Sequence, residues 1–182
     1  MTILSHDGTG DGATPSDDAE PYHCIEAGGW HVELIVRAAV WQPQAVAVEH
    51  SLARLLPVLT RQTGAAGSAC LVLDSDEAVR RLNAQWRGQD KPTNVLSFPS
   101  GEAEPLGDLV LAYGVCAREA AEQGKALMDH VVHLVLHGLL HLLGHNHETD
   151  LQADVMEALE RAVMAELGLR DPYAVPTVGA GA

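Results

Sequence analysis

The stretch His137-Gly138-Leu139-Leu140-His141-Leu142-Leu143-Gly144-His145-Asn146-His147 decides the reading of this chain. Its pattern is H-x-x-x-H-x-x-G-x-x-H. Residues i and i+4 share one face of a helix, so His137 and His141 can aim their rings at one point. Gly144 can end the helix in a left-handed conformation, and the chain can then return His147 to that same point. Three imidazoles and one open position are the ligand set of a catalytic zinc site, one ion per chain. An ordinary core helix with satisfied histidines would need neither the glycine nor the third histidine. Loose surface metal binding does not suit so apolar a context.

The helix carrying the motif is expected over about 126–143. It is apolar nearly all round, with Leu127, Val131, Val135, Leu139 and Leu142 among its members, so it belongs in the middle of a domain. Its polar stripe is His130, His133, His137 and His141. Unpartnered buried polar groups are costly, so a buried helix with one polar stripe has aimed that stripe at something. His133 is expected to support the site from one turn away. His130 is expected to be partly exposed near the helix start, and His145 to point away from the metal.

Working outward, strands are expected at 31–37, 68–73, 94–98 and 106–112. Helices are expected from Pro43 to about Leu56, where Pro57 should end or kink the run, after the N-cap Ser75, and over about 115–123. A last helix should follow the capping box Thr149-Asp-Leu-Gln152, with Leu151, Val155, Leu159 and Val163 on its inner face. This pattern predicts an α+β (mixed α/β) domain: about four strands in a mixed sheet, packed with five or so helices, the histidine helix buried centrally. The domain should span 30–170. Residues 1–29, rich in Gly, Asp, Ser and Thr, read as a disordered acidic tail, and 171–182 as a C-terminal tail.

With 182 residues the chain can bury a core without disulfides. Cys24, Cys70 and Cys116 are widely spaced and odd in number, which fits reduced thiols in a cytoplasmic protein. No apolar run is long enough to span a bilayer, and no secretory signal is expected at the N-terminus. The formal charge of −14 argues against a non-specific nucleic-acid binder. The acids are uneven, however. Between acidic ends lies a basic patch of Arg80, Arg81, Arg87 and Lys91, with Asp90 beside it, and an RNA-binding surface should sit there.

In zinc proteases with this histidine spacing, the residue after the first histidine is a glutamate that serves as general base. Here it is Gly138, which has no side chain, and this counts against a peptidase. Glu148 is expected to be a solvated residue before the last helix. The second constellation runs from Asn83 through Trp86-Arg87 and Asp90-Lys91-Pro92-Thr93-Asn94 to Phe98-Pro99. Arg87 has the planar fork of donors suited to a phosphate, although it could equally brace the loop on a carboxylate. Lys91 could contact a neighbouring phosphate. Trp86 and Phe98 could stack bases, or simply pack.

The two segments together resemble the YbeY family, the bacterial single-strand-specific metallo-endoribonucleases of ribosomal RNA maturation. The matching positions are Leu82-Asn83, Trp86-Arg87, Asp90, Pro92 to Pro99, Gly107-Asp108-Leu109 and His137 to His147, and the resemblance covers about residues 31–170. It implies Zn2+ held by His137, His141 and His147, and roles in RNA cleavage for Arg87 and His137. It also implies a part in 3′-end processing of small-subunit ribosomal RNA and in ribosome quality control, in the cytoplasm. The expected partners are single-stranded RNA, ribosomal RNA and the small ribosomal subunit with its proteins, and neither DNA nor a membrane. Asn146 departs from the family, where Asp is commoner. Two other readings stay open: a zinc metallopeptidase or other metallohydrolase, and a non-catalytic ribosome-associated module with a structural metal.

Overall fold

The strands Ser68–Asp74 (β3) and Gly107–Ala112 (β5) are near-continuous apolar runs, which is what a strand covered on both faces requires. They pair in parallel at the middle of the sheet. The structure, a computed structural model, describes residues 22–174. The other strands are Tyr22–Ala27 (β1), Trp30–Val36 (β2) and Val95–Pro99 (β4), and the sheet order is β1-β2-β3-β5-β4. β1 and β4 run antiparallel to their neighbours at the two edges.

The sheet therefore has five strands. The additional one, β1, lies within the acidic stretch read as a tail. It belongs to the fold because Ile25 is buried and the strand pairs along its whole length with β2. Residues 1–21 lie outside the described residues, as do 175–182 of the expected C-terminal tail.

Five α-helices cover the sheet: α1 Ala45–Thr63, α2 Asp76–Arg87, α3 Tyr113–Glu122, α4 Leu127–Leu142 and α5 Asp150–Glu166. A 3₁₀ helix over Ala39–Gln44 contains Pro43 and leads into α1. On one face, Leu34, Leu71, Leu109 and Leu111 pack in a single core with α1, α4 and α5. On the other, Val72, Leu96 and Val110 pack against Val79 of α2 and Val115 of α3. Asp76 accepts the backbone N–H of Gly114 at 2.7 Å and of Val115 at 3.2 Å, tying the start of α3 to α2.

Pro57 does not end α1, which continues to Thr63. An interior proline costs a helix about 3 kcal/mol. Leu55, Leu56, Val58 and Leu59 flank it and are all buried. Burial contributes about 1.5–3 kcal/mol for each such side chain, so packing outweighs the lost bond. The inner face of α5 also differs from expectation. Leu151 and Val155 are exposed, and the buried residues are Met156, Glu160, Val163 and Met164. The capping box is present as expected and fixes where α5 starts. The direction of its inner face was set by docking on α1 and α4.

Candidate metal centre and cleft

The geometry of the histidine motif follows from the way α4 ends. Gly144 has φ 90°. The N–H of Gly144 donates to the carbonyl of His141 at 3.0 Å, and that of His145 to the carbonyl of Leu140 at 2.9 Å. This paired closure reverses the chain after the last turn. It also brings the His145 carbonyl to 3.0 Å from His141 Nδ1. His147 completes the cluster: the ligand nitrogens of His137, His141 and His147 all lie within 4.8 Å of one another.

The tautomers make this arrangement informative. His137 Nδ1 donates to the Glu160 carboxylate at 2.8 Å, and His141 Nδ1 donates to a carbonyl. In the tautomer that carries its hydrogen on Nδ1, each ring presents a lone pair at Nε2. The two Nε2 atoms face each other at 3.1 Å. Two lone pairs so close repel unless something positive stands beside both. Two nitrogens on a tetrahedral zinc, at bond lengths of about 2.0–2.1 Å, lie roughly 3.3 Å apart. The donor set therefore fits a divalent ion of that size.

Glu160 is the residue that sequence reasoning missed. It is fully buried, with one oxygen on His137 Nδ1 and the other 3.5 Å from His133 Nε2. The Tyr173 hydroxyl donates to that second oxygen. Burial raises the Glu160 pKa, but the nearby His133 ring and the hydrogen bonds from His137 and Tyr173 outweigh it and hold the carboxyl at about 2. A carboxylate behind a metal-ligating imidazole fixes the ring and strengthens its basicity. The sequence signal was one acid on the apolar side of α5, between Met156 and Met164.

Burial, then the neighbouring His137 ring, holds the His141 pKa below the ordinary histidine range. His130 is also lowered, first by burial. His130 is not partly exposed near the helix start as expected. It is buried, and its Nε2 meets the Glu119 carboxylate at 2.9 Å, because α3 closes over that end of α4. Asn94 donates to the same carboxylate at 2.9 Å. His133 Nε2 stands 3.5 Å from Glu160 without a hydrogen bond, and His145 is not one of the clustered histidines. Glu148 is exposed ahead of the Thr149 cap.

Gly138 faces the sheet. A Cβ there would lie 2.7 Å from Leu109 Cδ2 and 3.2 Å from Ser97 Oγ. The position that carries the base in the proteases is thus pressed against β4 and β5, and has no room for a glutamate.

Arg87 ends α2 and lines the same open cleft of about 590 Å³ as the three histidines, together with Asn94 and Glu119. It donates to the Ser97 carbonyl at 3.5 Å. Among the described residues no carboxylate pairs with it, so the bracing role is not what the structure shows. The rest of the basic patch is largely neutralised. Arg80 pairs with both Glu77 and Asp90, and Arg81 lies 3.5 Å from Glu77. Lys91 is exposed and is not among the residues lining the cleft, where Lys125 stands instead. The Lys125 ammonium donates to the Pro172 carbonyl at 2.7 Å. Residues 171–174, expected to begin a tail, therefore pack over the site through Pro172 and Tyr173. Trp86 is exposed and meets Phe98 edge to face at 6.3 Å.

A sequence model of the family described as Endoribonuclease YbeY matches residues 35–168. The chain belongs to the endoribonuclease YbeY family. It is 43% identical over 157 residues to Endoribonuclease YbeY of Nitrobacter winogradskyi, covering 79% of this chain and 82% of the relative. It is 42% identical over 153 residues to Endoribonuclease YbeY of Rhodopseudomonas palustris, covering 78% of this chain and 80% of that one. In fold it is similar to a protein of Thermotoga maritima solved in solution, with a TM-score of 0.51 at 22% identity, over 79% of this chain and 99% of the other. YbeY membership makes the chain an enzyme of the endoribonuclease class. Among the described residues, no helix is long and apolar enough to cross a membrane.

Proposed function

We propose that this YbeY-family enzyme is a zinc-dependent endoribonuclease that cuts single-stranded RNA in the cleft formed by α4, β4 and the loop after α2. Its work in the cell is 3′-end maturation of small-subunit ribosomal RNA and ribosome quality control, in the cytoplasm. One observation carries the reading: an arginine that no carboxylate among the described residues pairs with shares a cleft with the Nε2 atoms of His137 and His141, which face each other at 3.1 Å.

His137, His141 and His147 hold the ion. Zinc bound there supplies a Lewis acid that activates water near neutral pH and withdraws charge from phosphoryl oxygens. Glu160 keeps the Nδ1 hydrogen on His137, so Nε2 stays a ligand atom; the His145 carbonyl does the same for His141. Arg87 places its fork of donors on the scissile phosphate and stabilises the charge that develops on it. Trp86 beside Arg87 offers an exposed ring on which an unpaired base can stack, which favours single strands over duplexes. A contact by Lys91 would be with a flanking phosphate, since it stands outside the cleft lining.

The acidity of the chain, −14 overall, gives it little attraction for bare RNA. It suits recruitment through proteins of the small ribosomal subunit. The test is the 3′ end of small-subunit ribosomal RNA in cells whose only copy carries Arg87→Ala. Accumulated 3′-extended precursor supports the reading, and normally matured ends contradict it.

A further inference from the structure

The β1–β2 hairpin holds a second group of metal-ligating side chains. Cys24, Glu26 and His31 offer ligand atoms that all lie within 4.8 Å of one another. Strand pairing brings them together: Glu26 stands opposite His31 and Cys24 opposite Glu33. Side chains two apart on a strand share a face. These four therefore point away from Val32 and Leu34, which are buried on the α1 and α4 side. The three-histidine cluster stands at the end of α4, across the sheet, so the two groups cannot share an ion. The hairpin cluster also precedes the stretch matched by the family, which begins at residue 35.

Its spacings suit a borderline cation. Cys24 Sγ lies 3.6 Å from His31 Nδ1, and Glu26 Oε1 lies 3.6 Å from the same nitrogen. On a tetrahedral zinc, with sulfur at about 2.3 Å and nitrogen or oxygen at about 2.0–2.2 Å, sulfur and nitrogen are roughly 3.5 Å apart and nitrogen and oxygen roughly 3.3 Å apart. Both observed separations lie close to those values. Glu33 lies 4.0 Å from His31 Nε2, on the side of the ring where a carboxylate commonly supports a metal-bound imidazole. The backbone beneath is held in place. The Thr60 hydroxyl donates to the Gly28 carbonyl at 2.7 Å and accepts from Trp30 Nε1 at 3.1 Å, fastening the hairpin turn to α1.

We propose that Cys24, Glu26 and His31 form a second metal site, of thiolate–imidazole–carboxylate type, taking a borderline divalent cation such as zinc, with Glu33 supporting His31. A thiolate with nitrogen and oxygen partners selects such ions over magnesium or calcium.

Cobalt(II) separates this site from the cleft, because only the hairpin site supplies an accessible thiolate. Cys70 and Cys116 are buried. The full-length protein loaded with cobalt should show a thiolate-to-cobalt charge-transfer band in the near ultraviolet beside visible ligand-field bands. Cys24→Ser should remove the near-ultraviolet band and keep the visible bands of the three-histidine centre. Zinc should slow the reaction of Cys24 with a thiol reagent at least tenfold, and His31→Asn should abolish that protection. Absence of the charge-transfer band, its survival in Cys24→Ser, or equal thiol reactivity with and without zinc would each overturn the proposal. All the side chains changed are exposed, so folding is not at stake, and RNA cleavage is not the readout.

Discussion

The buried Glu160 carboxylate on α5 accepts the Nδ1 hydrogen of His137 on α4 at 2.8 Å. This one bond joins the two helices and fixes which nitrogen of His137 faces the other two imidazoles. Glu160→Gln should leave the fold in place and lower zinc affinity by about 10–100-fold. Competition with a chromophoric chelator measures this. Unchanged affinity would mean that Glu160 only fills space.

The same carboxylate makes an acid-stability prediction. Its folded pKa, about 2, lies below the ordinary 4.5. A depressed carboxylate contributes stability that is present above the unfolded pKa and is lost as pH falls through the folded one. In metal-free protein, the stability gap between parent and Glu160→Gln should therefore narrow between about pH 4.5 and 2. Urea midpoints across that range test it, and a gap that stays constant contradicts it.

Gly138→Ala should destabilise the protein. In an open helix the change would add about 1 kcal/mol through propensity. Here the new Cβ would stand 2.7 Å from Leu109 Cδ2 in a buried layer. Overpacking of that kind costs about 1–3 kcal/mol, so the clash prevails. The thermal midpoint should fall; a rise would show that α4 and β5 have room to part.

Arg87→Ala should reduce RNA cleavage by about 10²–10³-fold while bound zinc stays as in the parent. Arg87→Lys should restore only part of the rate, since an ammonium lacks the planar fork. Cleavage at the parent rate by the alanine variant would remove Arg87 from the mechanism.

The three-histidine cluster was legible in the sequence because helix spacing and a chain-reversing glycine act locally. Nothing beyond α4 and its next five residues is needed to bring His137, His141 and His147 together. Arg87 was legible only in chemistry: that no carboxylate among the described residues pairs with it depends on where Glu77 and Asp90 turn, and both turn to Arg80. Glu160 was not legible, because α5 carries several acids and only its docking against α4 selects the one that turns inward. The same docking exposes Leu151 and Val155. The burial of His130 depends on α3, and β1 lies in surroundings too acidic for it to announce itself without β2. The contacts of Tyr173 arise from a chain segment that returns over the cleft after α5 has ended.

The central claim is tested most directly by cleavage of a labelled single-stranded RNA. The samples are metal-quantified parent protein, its His137→Ala variant, and parent stripped with a chelator and then reloaded with zinc. Cutting by the parent, loss in the variant and in the stripped sample, and recovery on reloading are the predicted results. Equal cutting by every sample, or no cutting by parent carrying zinc in the three-histidine centre, would contradict a metal-dependent ribonuclease.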